Sequence, residues 1–342
     1  MQKENNSSLL CRILLDRALL SSTRAPLAKQ FQTGVIGFVL ILLILSFGLP
    51  VAAFCSNAGK LPDAADMLAA ARKGGEYKTM PEEDLAAVEK LFERMLSGDR
   101  SQELFNAWEK LDFTLTRVQL DGKKVLALVE NPEHKRGRGF YLFPLVASGS
   151  TVLMMPHGFY DLHTRIIGQH LFGEGSFLGA AWNTVHRNKH PGQIRVIDLD
   201  DDPWQWDMAD LPDTCFTALT KAFVRTKPHG HLVQLHGFAK SKRKSKSARD
   251  SDLILSNGTE VPPRELIAFG DCLKIKIPFM VRLYPLETKD LGASENISAQ
   301  VLNNLGHNGF VQMEMSLDLR NQLRSSATYR EALLGCIKTA WQ

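Results

Sequence analysis

All ten histidines of this 342-residue chain fall between His134 and His307, and two of them stand where an apolar run stops. The apolar residues 151–155 lead into Pro156-His157-Gly158-Phe159-Tyr160-Asp161, and Leu232-Val233-Gln234-Leu235 ends in His236-Gly237. Imidazole nitrogens and carboxylate oxygens are typical zinc ligands, and two histidines with one acid leave a fourth position for water. His157, Asp161 and His236 are therefore candidate ligands of Zn2+. A turn can bring His157 and Asp161 onto one ion, whereas strand positions four apart are too widely separated. The competing role for Asp161 is to cap the helix that follows.

Glu314 interrupts the apolar run Phe310-Val311-Gln312-Met313-Glu314-Met315. A carboxylate is costly to bury unless it is paired or functional. Beside a metal-activated water it would be the general base, passing the proton to the leaving group. A salt bridge to Arg320 or another arginine is the alternative. In Trp182-Asn183-Thr184-Val185-His186-Arg187, Arg187 follows a short apolar run. Its guanidinium suits a carboxylate or phosphate through two parallel hydrogen bonds. Asn183, Arg187 and Arg320 are the candidate substrate-binding residues, and His186 reads as a structural hydrogen-bonder, with a ligand role as the alternative. The chain has no G-x-S-x-G elbow, no phosphate loop of the G-x-x-x-x-G-K-[ST] kind and no H-E-x-x-H. Cys215 and Cys272 lack a local pattern that would activate a thiol.

The elements that must position these residues alternate. Strands are predicted at 113–120, 124–130, 140–146, 151–155, 178–182, 231–235, 252–255, 276–282 and 310–315. Helices are predicted at 164–172, 214–226, 263–272, 298–306 and 326–339. This order predicts an α/β domain over 112–342, with a mixed, mostly parallel sheet flanked by helices. In open sheets of this kind ligands bind outside the carboxyl ends of the strands. Asp121-Gly122 predicts a tight hairpin. Residues 56–111 read as a helical spacer or lid. Asp63 starts its first helix, and Pro81-Glu82-Glu83-Asp84 opens the next, with acids where the helix dipole favours them.

Residues 35–54 contain no charge, and about 20 apolar residues cross the ~30 Å core of a bilayer as a helix. Lys3, Arg12, Arg17, Arg24 and Lys29 precede the segment against Glu4 and Asp16. That excess keeps the leader cytoplasmic and sends the rest outward. Val51 and Ala53 also fit a cleavage site after Ala53, so the segment 34–55 is either a transmembrane anchor or a signal peptide. The expected location is the inner (cytoplasmic) membrane with the α/β domain outside, or the periplasm or exterior after cleavage. Export permits one disulfide among Cys215, Cys272 and Cys336, with the pair undetermined.

The net charge of +4 does not indicate a nucleic-acid partner. Seven aspartates in 198–213 and a basic run in 240–249 read as solvated loops, without the aromatic series that stacks bases. The basic run follows His236-Gly237-Phe238, so it could also rim the site and favour polyanionic substrates.

The order His157/Asp161, Asn183/Arg187, His236, Glu314 resembles the zinc carboxypeptidase superfamily, in particular its N-formylglutamate amidohydrolase-like and poly-γ-glutamate hydrolase-like branches. The likeness covers about residues 151–320. It implies a zinc-carboxypeptidase-like (phosphorylase/hydrolase-like) core, zinc on the early His-plus-acid pair and the later His, an Asn-Arg element for a substrate carboxylate, and a late glutamate as base. The chain departs from the superfamily pattern in three ways. Its first element is H-x-x-x-D rather than H-x-x-E, which leaves His163 or Glu174 as alternatives to Asp161. Asn183 and Arg187 are not adjacent. The substrate-binding tyrosine has no clear counterpart beyond Tyr284. The expectation is an exported zinc-dependent amide or peptide hydrolase acting on a small-molecule, peptide or cell-wall-derived acidic substrate. The alternative is a non-enzymatic envelope binding or assembly protein on the same fold.

Overall fold

The computed structural model describes residues 61–72, 77–187 and 207–341. The basic leader and the apolar segment 35–54 lie outside them. Among the described residues no helix is long and apolar enough to cross a membrane.

In chain order the elements are helices α1 (Ala64–Ala71), α2 (Glu82–Leu96) and α3 (Gln102–Glu109), then strands β1 (Phe113–Leu120), β2 (Lys123–Glu130), β3 (Phe140–Pro144) and β4 (Thr151–Met155). Next come α4 (Thr164–Glu174), β5 (Gly179–Trp182), α5 (Cys215–Thr226), β6 (His231–Gly237), the short α6 (Lys246–Arg249) and β7 (Leu253–Ser256). The chain closes with α7 (Arg264–Lys276), β8 (Val281–Leu283), α8 (Ile297–Asn304), β9 (Phe310–Met315), α9 (Leu317–Ser325) and α10 (Ala327–Ala340).

The strands form one sheet in the order β1-β2-β3-β5-β4-β6-β9-β7-β8. Its centre, β5-β4-β6-β9, is parallel throughout. The flanks are mixed: β1, β2 and β3 join β5 by antiparallel pairings, while β7 runs antiparallel to β9 and parallel to β8. The hairpin at Asp121-Gly122 places both residues at positive φ, 46° and 80°. This is the backbone that a two-residue hairpin turn needs.

Alternation splits the core in two. Leu153, Met155, Val233, Leu235, Val311 and Met313 face one side of the sheet, packed with residues of α1, α4, α7, α9 and α10. Val152, Met154, Leu232 and Phe310 face the other, packed with residues of α2, α3, α5 and α8. The early helices contribute large rings to this second side. Phe92 and Trp108 are fully buried, with centroids 5.0 Å apart, and Trp108 meets Phe113 edge-on at 5.5 Å. Asp63 starts α1 by accepting from the Ala65 and Asp66 amides at 2.8 and 3.2 Å.

Three elements differ from the sequence expectation, among them the short α6 within the basic run read as a loop. The strand expected at 276–282 shrinks to Val281–Leu283, because α7 continues to Lys276. Residues 317–325 form a helix that periodicity did not announce; Ser316 caps it by accepting from the Leu319 amide at 3.2 Å. Cys272 on α7 and Cys336 on α10 form a disulfide, and among the described residues Cys215 is a buried free thiol.

Candidate metal centre

Three neighbouring parallel strands end at one place. His236 on β6 sits in register with Glu314 on β9, and β4 runs on the other side of β6. After β4, His157 heads a tight turn in which the Tyr160 and Asp161 amides donate to its carbonyl at 2.9 and 2.8 Å. That turn folds Asp161 back beside His157. The Asp161 carboxylate does not cap α4. Its Oδ2 lies 3.3 Å from His157 Nδ1 and accepts from the Gly237 amide at 2.8 Å, while His163 occupies the cap position.

His157 Nδ1 and His236 Nδ1 are 3.2 Å apart, and Asp161 Oδ2 lies 4.0 Å from His236 Nδ1. Three ligand atoms around one tetrahedral ion at ~2.0–2.2 Å stand roughly 3.3–3.6 Å apart. The buried trio therefore has the donor set and nearly the spacing to hold a metal ion. Each histidine is also oriented from behind, as metal-binding imidazoles usually are. His157 Nε2 meets Asp207 Oδ1 at 2.6 Å, and His236 Nε2 meets Gln234 Oε1 at 3.1 Å.

Charge separates the groups. Burial lowers the basicity of His157, but the Asp207 and Asp161 carboxylates outweigh it and raise the imidazole to about 9. Burial and the neighbouring His157 push His236 down to about 3. Burial alone would raise Asp161 and Asp207, yet facing His157 holds both below the usual carboxylate range. Glu314 has no such partner. Burial, then the Asp161 charge, lifts it to about 7.

The other expected residues have partners within the fold, and of these Arg187 and Arg320 also line the pocket. Asn183 donates to the Pro156 carbonyl at 2.8 Å and accepts from the Val185 amide at 2.9 Å, so it secures the two strand-end turns rather than a substrate. Arg187 pairs with Asp207 at 2.5 Å and lies 5.2 Å over the Tyr160 ring. Arg320 makes no ion pair with Glu314. It donates to the Leu162 carbonyl at 2.6 Å and the Met315 carbonyl at 3.2 Å, tying the turn after β4 to the end of β9. It crosses so close to Gly237 that a Cβ there would meet its guanidinium carbon at 2.5 Å. His186 packs against Tyr160 at 5.1 Å. The two alternative ligands are placed elsewhere: His163 lies 3.4 Å from Arg324, and Glu174 pairs with Arg330 at 2.7 Å. Tyr284 hydrogen-bonds Glu260 outside the pocket.

Asp207 is the residue that sequence reasoning missed. It belongs to the aspartate-rich stretch expected to be solvated, yet it is 1% exposed. Nothing local separates it from its acidic neighbours; it is distinguished by meeting His157, 50 positions away, and Arg187.

The site opens into a pocket of about 740 Å3, lined by His157, Asp161, Asp207, His236 and Glu314 with Lys242 and Arg243 on its rim. The basic run, read from the sequence as a solvated loop or as a rim of the site, reaches the site through Lys242 and Arg243.

No family model matches the chain, and no curated protein matches it. Solved structures give loose likenesses. A candidate carboxypeptidase from Burkholderia mallei aligns at 11% identity and TM-score 0.39, over 70% of this chain and 67% of its own. A candidate carboxypeptidase A from Shewanella denitrificans aligns at 9% identity and TM-score 0.38, over 66% and 64%. A candidate metallopeptidase from the same organism aligns at 9% identity and TM-score 0.32, over 69% and 87%. The chemistry of the site rests on its own geometry.

Proposed function

We propose that this chain is an exported zinc-dependent hydrolase of amide or peptide bonds, acting on acidic or cell-wall-derived substrates. The observation that carries this reading is the convergence of His157 Nδ1, His236 Nδ1 and Asp161 Oδ2 within 4.0 Å of one another, with Glu314 in the same pocket. Zinc, when bound, supplies a Lewis acid that polarises a carbonyl and lowers the pKa of water. Glu314, lifted to about 7, is suited to take a proton from the attacking water and hand it to the departing amine near neutral pH. The pairs of His157 with Asp207 and of His236 with Gln234 hold each imidazole in one orientation while this happens.

Acidic substrates are favoured by the rim. Arg243 lines the pocket, and among the described residues its Nε has no hydrogen-bond partner. Its loop is held by Arg249, which donates to the Arg243 and Lys244 carbonyls at 3.1 and 2.7 Å. A guanidinium carried into the pocket by a held backbone suits a carboxylate. Export is supported by the Cys272–Cys336 disulfide, since such bonds persist in oxidising compartments, and by the apolar segment 35–54.

Elemental analysis of the purified protein should find stoichiometric zinc, and release of amine from N-acyl-glutamyl and cell-wall peptides should depend on it. Glu314→Gln should retain the metal and lose about 100- to 10,000-fold in kcat. Protein without bound metal, or a Glu314→Gln variant as fast as the parent, would remove the reading.

A further inference from the structure

Behind the candidate ligands the same sheet face carries a second polar row. Gln234 on β6 lies in register with Gln312 on β9, two positions before His236 and Glu314. Asn296 lies across both and is 4% exposed. Its Nδ2 donates to Gln234 Oε1 at 2.6 Å and to Gln312 Oε1 at 3.2 Å.

The orientation of Asn296 is forced from the other side. It caps α8, its Oδ1 accepting from the Ser298 and Ala299 amides at 3.0 and 3.3 Å. Backbone N–H groups only donate, so the oxygen faces the helix and the NH2 faces the glutamines. The remaining assignments follow by elimination. One lone pair of Gln234 Oε1 takes Asn296, and the other takes His236 Nε2 at 3.1 Å. His236 therefore carries its hydrogen on Nε2, and the bare Nδ1 faces His157 and Asp161. Among the described residues Gln234 Nε2 is left buried without a partner. An unrestrained amide would turn over to relieve that cost; two donors on its oxygen prevent the turn. Gln312, with its oxygen held in the same way, directs its NH2 to Glu314 Oε1 at 3.1 Å.

We propose that Asn296 is a positioning residue which, through Gln234 and Gln312, sets the tautomer of His236 and the orientation of Glu314. The direction originates in the first turn of α8 and passes through two layers of amides. Reversing it would move the hydrogen of His236 onto Nδ1, where a metal must bind. The consequence for metal affinity rests on the metal-centre reading; the tautomer does not.

The decisive substitution is Asn296→Asp. It preserves size and capping ability but replaces the donor with an acceptor, so Gln234 turns and offers NH2 to His236. In metal-free protein, the 15N shifts of the His236 ring should report hydrogen on Nε2 in the parent and on Nδ1 in the variant. Zinc affinity should fall about 10- to 100-fold, the usual effect of losing a ligand's outer partner. Gln234→Leu should weaken zinc comparably, and Asn296→Asp should add little on top of it, because the two act in series. Should Asn296→Asp fail to fold, the parent tautomer and the Gln234→Leu affinity still decide. An Nδ1–H tautomer in the parent, unchanged affinity in Asn296→Asp or Gln234→Leu, or fully additive losses would overturn the proposal. A parent that binds no zinc would instead sink the metal reading, while the ring shifts would still judge the role of Asn296.

Discussion

Strand β6 begins on one buried histidine and carries another just before its last residue, and the two do different work. His231 is 8% exposed and His236 is 4% exposed. Both are stripped of basicity: burial takes His231 to about 4, and burial with the neighbouring His157 takes His236 to about 3. Five positions apart on a strand, they face opposite sides of the sheet. The His231 ring stacks on Trp341 at 4.2 Å and 8°, with Phe269 packed on the far ring, and its Nδ1 has no partner among the described residues. The Nδ1 of His236 faces another imidazole nitrogen and a carboxylate. Residue type, burial and depressed basicity are the same at both ends. Convergence of further ligand atoms separates a candidate ligand from a packing ring.

Substitutions at the two ends should therefore separate metal binding from stability. The largest effect is expected from His236→Ala, which should take zinc content from stoichiometric to none, while His231→Phe keeps it; elemental analysis of both proteins checks this. The next concerns acid. His231 is neutral in the fold, with a value of about 4 against an ordinary 6.5. Below pH 4 both folded and unfolded forms are protonated, so its contribution is complete above 6.5 and lost as pH falls from 6.5 to 4. That loss is on the order of 3 kcal/mol. His231→Phe keeps the stack on Trp341 and cannot titrate, so its denaturant midpoint should fall less steeply than the parent's across that window. Parallel curves would mean His231 is not neutral because of burial. A smaller effect belongs to Asp207→Asn. It removes the charge behind His157 and should weaken zinc about 10- to 100-fold in competition titrations, without abolishing it. An unchanged affinity would mean that the 2.6 Å contact does not orient the ligand.

Much of this arrangement was legible in one dimension. His157 and His236 each follow an apolar run that forms a strand, because strand patterning and the turn residues that end a strand act over a few neighbours. Glu314 stood out for the same reason, as a charge inside an apolar strand. Ser316 was a local signal that went unused: its capping side chain starts α9, in a stretch for which no element had been predicted. The roles of Asn183, Arg187 and Arg320 were not legible. Each is polar and near a strand end, but the acceptors that occupy Asn183 and Arg320 belong to other turns.

The sequence by itself determined which residues could act as ligands and base, and that they would sit at strand ends, since both follow from chemical type and short-range periodicity. Only the tertiary structure decided which of them meet. The order β5-β4-β6-β9 brings the ends of β4, β6 and β9 together although their residues are separated by up to 157 positions, His157 to Glu314. It also placed Asp207 behind one histidine and Gln234 with Asn296 behind the other. Strand neighbours are chosen by burying whole faces against helices, a sum over the entire chain that no local window contains.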